Sequence, residues 1–84
     1  MGFPNGSRRT EAAKTGFQEW AHATHRRTPS YHTVGDSGIE NDDSRFTVEV
    51  RIGDDVFGRG VGRTKRAAET DAAAAALARA EAGL

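Results

Sequence analysis

Cysteine is absent from this 84-residue chain, proline occurs twice, tryptophan and tyrosine once each, and neither sign of charge is in excess. Without cysteine there is no disulfide framework and no thiolate metal site, so packing must hold the fold and a reducing compartment is the natural setting. No apolar run approaches the roughly 20 residues that cross a bilayer. The opening MGFPNGSRRT lacks the apolar stretch of a secretory leader. These absences predict a soluble, cytoplasmic chain with no membrane partner. The short length allows one small core and little room for an enclosed catalytic cavity.

The zero sum of charge conceals a segregation. Asp36, Glu40, Asp42 and Asp43 form an acidic block, whereas residues 58–66 carry Arg59, Arg63, Lys65 and Arg66 and no acid. Separated blocks of opposite sign can create opposed surface potentials that orient a charged partner.

Residues 1–12 read as a flexible lead-in or linker, because Gly2, Pro4, Asn5, Gly6 and Ser7 interrupt any apolar period. Residues 13–84 read as the folded domain. Ala13, Phe17, Trp20, Ala21 and Thr24 fall at helical spacing and predict a first helix from Thr10, as cap, to about Thr24. Its opposite side aligns Thr15, Gln18, Glu19 and His22 in one polar stripe. Pro29 biases Thr28 toward extended geometry, and a strand is expected over about residues 30–34.

RFTVEVRI then alternates, with Phe46, Val48, Val50 and Ile52 on one side and Thr47, Glu49 and Arg51 on the other, as a half-buried antiparallel strand does. The GDD that follows predicts a hairpin turn into a third strand near residues 56–61. From Thr64, as N-cap, the period returns to that of a helix and runs to about Ala82, with Gly83 as the stop. Its stripe of Ala68, Ala72, Ala73, Ala76, Leu77 and Ala80 is small-sided, which predicts close approach to a neighbour. The order α-β-β-β-α predicts an α+β, two-layer domain: a three-stranded antiparallel sheet with both helices on one face and water on the other.

GRGVGRTKR is neither a Walker A loop nor a G-x-G-x-x-G fingerprint, since Arg63 occupies the last glycine position. Lys65 and Arg66 stand at a helix start, where cations are unfavourable unless an anion completes the site. A bound phosphate would reverse that penalty, with the glycines allowing close backbone approach; an ordinary solvated basic turn is the competing account. A second polar surface on the first helix favours a polymeric phosphate. Glu40, Asp42 and Asp43 read as a solvated loop rather than a cation site. His22 and His25 have no third metal ligand at convincing spacing, and Phe17 and Trp20 read as core rather than base-stacking groups. No metal or other cofactor is expected.

KTGFQEW, PSY, FTVEVRIGDDVFGRGVGRTKRAAE and AAAAAL occur as separated blocks within residues 13–82. Together they resemble the double-stranded-RNA-binding domain, most closely the version that ends bacterial ribonuclease III. The resemblance implies that Thr15, Gln18, Glu19 and His22 enter a minor groove of A-form RNA. It assigns Arg63, Thr64, Lys65 and Arg66 to the phosphates across the intervening major groove. Such domains read shape, 2′-hydroxyls and phosphates over about 16 base pairs, with little response to sequence or to DNA.

The departure from the family lies between the first two strands. The family commonly carries Gly-Pro-Asp-His there; this chain has GIENDDSR, in which Gly38 matches and Asn41 is left to bond a 2′-hydroxyl. Asp42 and Asp43 would repel phosphates at short range, screened by salt. The expected function is non-catalytic binding of double-stranded RNA, as a free module or as the RNA-binding part of a ribonuclease III-like nuclease. The alternative is a protein-interaction or homodimerisation module of the same fold, favoured by the acidic loop.

Overall fold

The computed structural model describes residues 5–82, with side chains from residue 12 onward. Its elements run α1 (Asn5–His25), β1 (Ser30–Asp36), β2 (Phe46–Ile52), β3 (Asp55–Gly62) and α2 (Lys65–Glu81). This is the expected α-β-β-β-α order. The strands pair antiparallel in the order β1-β2-β3, and α1 and α2 cover one face of the sheet.

In α1, Phe17 and Ala21 are fully buried and Trp20 is half-buried, so the apolar spacing marks the inner face as far as Ala21; Thr24, expected on that face, is exposed. The helix begins at Asn5, however, and not at Thr10. A turn already held by tertiary packing extends at one hydrogen bond per residue fixed, without a new nucleation cost, so the glycine and serine of the opening segment do not stop it. Part of the segment read as a lead-in is therefore helical. Residues 1–4 lie outside the described residues. At the other end Arg26 adopts φ 57° and its N–H donates to the His22 carbonyl at 3.1 Å, which closes the helix.

β1 runs to Asp36, two residues past the expected end, because the register slips between Thr33 and Gly35 and the strand re-pairs beyond the irregularity. A second slip, opposite Val50 and Arg51, leaves Phe57 as the extra residue of β3. Its ring packs 6.0 Å from Phe17 and 5.6 Å from Trp20. On the inner face of the sheet Val48 and Val50 are fully buried and Ile52 nearly so, and they meet Phe17, Ala21, Ala68, Ala72 and Ala76. Burying each large apolar side chain contributes about 1.5–3 kcal/mol.

Thr64 caps α2 as expected, its Oγ1 accepting the N–H of Ala67 at 3.0 Å. The expected stop at Gly83 lies outside the described residues; within them Ala82 closes the helix by donating to the Ala78 carbonyl at 3.0 Å. The alanine stripe faces Gly58, Gly60 and Gly62 of β3, where added Cβ atoms would fall 2.1–2.5 Å from α2 backbone atoms. Helix and strand thus meet backbone to backbone. Asp71 reinforces the contact by accepting the Val61 N–H at 3.0 Å.

The outer face of the sheet is largely exposed, as expected, with His32, Arg59 and Val61 open to solvent, but one residue on it is not. Glu49 keeps only 7% of its exposure. Its Oε1 accepts from Arg51 Nη2 at 2.7 Å and its Oε2 from Arg59 Nη2 at 2.6 Å. Arg59 stands directly opposite Glu49 in the register, and Arg51 follows two residues on along the same face, the arrangement that favours opposite charges across a sheet.

Candidate nucleic-acid interface

The strand register decides which loops and helix ends meet. Asp36, Phe46 and Gly62 are cross-strand partners in one row, so the loop leaving β1 and the chain entering α2 emerge at the same end of the sheet. The acidic and basic blocks are therefore neighbours, and not the opposed surfaces that their separation along the chain suggested. Arg63 Nη2 donates to Asp43 Oδ1 at 2.6 Å, and this bond raises the Arg63 guanidinium further above its ordinary range. Phe46 lies beneath both sides, with the Arg45 guanidinium 4.8 Å and the Lys65 Nζ 5.9 Å from its ring centroid.

The loop itself is built on its acids. Gly38, at φ 75°, donates its N–H to Asp36 Oδ1 at 2.9 Å, and Arg45 Nε donates to the same oxygen at 3.0 Å. Asp42 Oδ1 accepts the Ser44 N–H at 3.0 Å and Asp42 Oδ2 accepts the Ser37 hydroxyl at 2.8 Å. These bonds hold both carboxyls below the usual carboxylate range: Asp36 through the Gly38 N–H first and Arg45 next, Asp42 through the Ser44 N–H and then Ser37. Asn41 takes φ 66° at the turn, a conformation that Asn tolerates better than most residues. Gly38 and Asn41 are exposed, and so is Ile39 at 61%.

At the start of α2, Arg63, Thr64, Lys65 and Arg66 are all exposed. Thr64 has spent one acceptor lone pair on its own helix, which leaves its hydroxyl proton and a second lone pair. One sequence reading changes here. Gly60 and Gly62 are filled by α2 backbone, so their lack of side chains serves helix packing, and they form no phosphate cradle.

Thr15, Gln18, Glu19 and His22 are exposed along one side of α1. His22 Nε2 is 3.2 Å from the Thr28 hydroxyl, which fixes the ring at the end of the stripe. His25 packs instead against Trp20 and Phe57, with centroids at 5.2 and 5.5 Å. Two residues outside the sequence-derived set hold the helices in register. Lys14 Nζ donates to Glu69 Oε1 at 3.0 Å and sits 5.0 Å from the centroid of Tyr31. Lys14 and Glu69 are 55 positions apart, so no local spacing could have paired them. Tyr31 has its phenol pushed up by burial first and by the Glu69 charge second.

The site thus offers two kinds of chemistry. The α1 stripe presents neutral and acidic hydrogen-bonding groups, suited to hydroxyls and base edges. The α2 start presents cations, suited to phosphates. The two helices that carry them are tied together by Lys14 and Glu69, whereas the loop is tied by Asp43 to Arg63 in the link that leads into α2.

Comparison with known proteins places the fold in a family. The model of the double-stranded RNA binding motif matches residues 13–79. Ribonuclease 3 of Cereibacter sphaeroides is 49% identical over 70 residues, covering 83% of this chain and 30% of that protein. Ribonuclease 3 of Rhizobium rhizogenes is 46% identical over 76 residues, covering 90% and 30%. The chain therefore spans about 30% of the length of these curated relatives. Among solved structures, Dicer from Pichia stipitis superimposes with a TM-score of 0.66 at 29% identity, covering 82% of this chain and 33% of that one. With the motif matched over all three strands and most of both helices, the chain belongs to the double-stranded RNA binding motif family.

Proposed function

We propose that this chain binds double-stranded RNA through A-form shape, 2′-hydroxyls and phosphates, without catalysing a reaction itself, as the RNA-binding part of a ribonuclease III-like nuclease. The observation that carries this reading is the pairing of an exposed Thr15–Gln18–Glu19–His22 stripe on α1 with an exposed cationic start of α2, on helices joined by Lys14 and Glu69. A minor groove and the adjoining backbone present hydroxyls and phosphates in that order across an A-form duplex. A cytoplasmic setting is part of the proposal and rests on the absence of cysteine.

A titration with an RNA duplex longer than about 16 base pairs, the matching DNA duplex and single-stranded RNA tests this reading. The RNA duplex is expected to bind tightest, with little dependence on its sequence. Equal affinity for the two duplexes would reduce the interface to general electrostatics. No binding to any of the three would turn attention to a protein partner, for which Val56 and Val61 of β3, 42% and 43% exposed, offer apolar surface.

A further inference from the structure

Asp43 differs from the other acids of its loop. Asp36 and Asp42 accept backbone and side-chain hydrogen bonds within the loop, whereas Asp43 bonds across 20 positions to Arg63 at 2.6 Å. Both side chains face solvent, at 84% and 61% exposure. Arg63 is also the first cation of the segment that leads into α2. A carboxylate oxygen and a phosphate oxygen accept from a guanidinium in the same way, so the two anions can compete for Arg63.

We propose that Asp43 is an internal competitor for Arg63: its carboxylate occupies the guanidinium in the free protein and yields it to a phosphate when an RNA duplex binds. This rests on the double-stranded RNA reading above. The Arg63 contact is then an exchange rather than an addition, and its gain is reduced by the bond that must break. Because the pair is exposed, the reduction is modest, about two- to fivefold in affinity. An anion that engages Arg63 alone gains little. A duplex that also reaches Lys65 and the α1 stripe displaces Asp43 on the strength of those other contacts. The loop thereby raises the threshold for casual polyanion binding.

The exchange carries a signature in salt. A cation that neutralises a phosphate releases a counterion from the nucleic acid, which steepens the fall of affinity with salt. When Arg63 leaves Asp43, the freed carboxylate attracts cations only as a single charge does and offsets part of that release. Removing the carboxylate removes the offset.

The test compares wild type, D43N, E40Q, R63Q and D43N/R63Q in titrations with one RNA duplex across a salt series, with circular dichroism confirming the fold of each. D43N is expected to bind about two- to fivefold tighter at low salt, with a slope steeper by less than the change of about one that a whole phosphate contact makes. E40Q removes an equal charge from the same loop and leaves Arg63 paired, so its gain should be smaller. In the R63Q background D43N should add no more than E40Q does. Wild-type binding with D43N unchanged or weaker would overturn the competitor role while leaving RNA binding intact. An equal gain in E40Q, or a gain that persists without Arg63, would overturn it too, by reducing the effect to general charge. Failure of the wild-type chain to bind the duplex would overturn the reading and the proposal together.

Discussion

A Cβ placed on Gly60 would lie 2.1 Å from the backbone nitrogen of Ala72 and 2.6 Å from the backbone oxygen of Ala68. Neither atom belongs to a flexible side chain, so α2 as a whole would have to move away from β3. Overpacking of this kind costs about 1–3 kcal/mol, and Gly60→Ala is expected to reach at least that in urea unfolding. Gly16→Ala is the contrast. The new methyl meets the Leu77 Cδ2 at 3.2 Å, the tip of a side chain that can rotate, while alanine gains about 1 kcal/mol of helix propensity over glycine. That variant is expected to be neutral or more stable.

Replacing Lys65 and Arg66 with Ala should weaken binding to every RNA duplex by a similar factor. The slope of log affinity against log salt should become shallower by about one for each phosphate that no longer meets a cation. The fold should persist, since alanine suits a helix and the cations oppose the helix dipole at this end. Titrations at several salt concentrations, with a thermal melt beside them, check both parts. An unchanged slope would remove these residues from the phosphate surface.

Gln18→Ala with Glu19→Ala should act differently. In the proposed reading these groups meet hydroxyls and base edges, so their removal should lower affinity for the RNA duplex with little change in salt slope. The advantage of RNA over the matching DNA should narrow. Measuring both duplexes side by side separates this outcome from a general weakening of binding.

Stability should fall on the acid side of neutrality. Glu49 is held below the ordinary carboxylate range, by Arg59 first and Arg51 second, and Asp36 and Asp42 are lowered by their loop hydrogen bonds. A carboxyl whose folded pKa is depressed contributes stability above its unfolded pKa, and that contribution is lost as pH falls through the folded value. Glu49→Gln should therefore lower stability at neutral pH and make the acid-side decline shallower. Tyr31 has the opposite sign: its raised pKa contributes below the unfolded value and is lost as pH rises through the folded one. Urea midpoints measured across pH would reveal both limbs, and an unaltered acid limb in Glu49→Gln would show that the outer-face ion pairs carry no linkage.

Much of this protein is legible in its sequence. The alternation of Phe46, Val48, Val50 and Ile52 and the helical spacing of Phe17, Ala21, Ala68, Ala72 and Ala76 name the core, because strand and helix periods are local properties of the backbone. Thr64 as the cap of α2 and the polar stripe on α1 follow from the same local rules. What local rules could not supply was pairing between distant parts of the chain. Only the strand register sets Arg59 across from Glu49 and turns an outward-facing acid into a nearly buried one. Only the return of three strands to one end brings Asp43 to Arg63, so that blocks far apart in sequence share an ion pair. Gly58, Gly60 and Gly62 suggested a loop near phosphate, and tertiary packing filled them with helix backbone instead. Composition and spacing state which groups a chain owns; which charges meet depends on contacts between residues far apart in sequence, and these exist only once the chain has closed on itself.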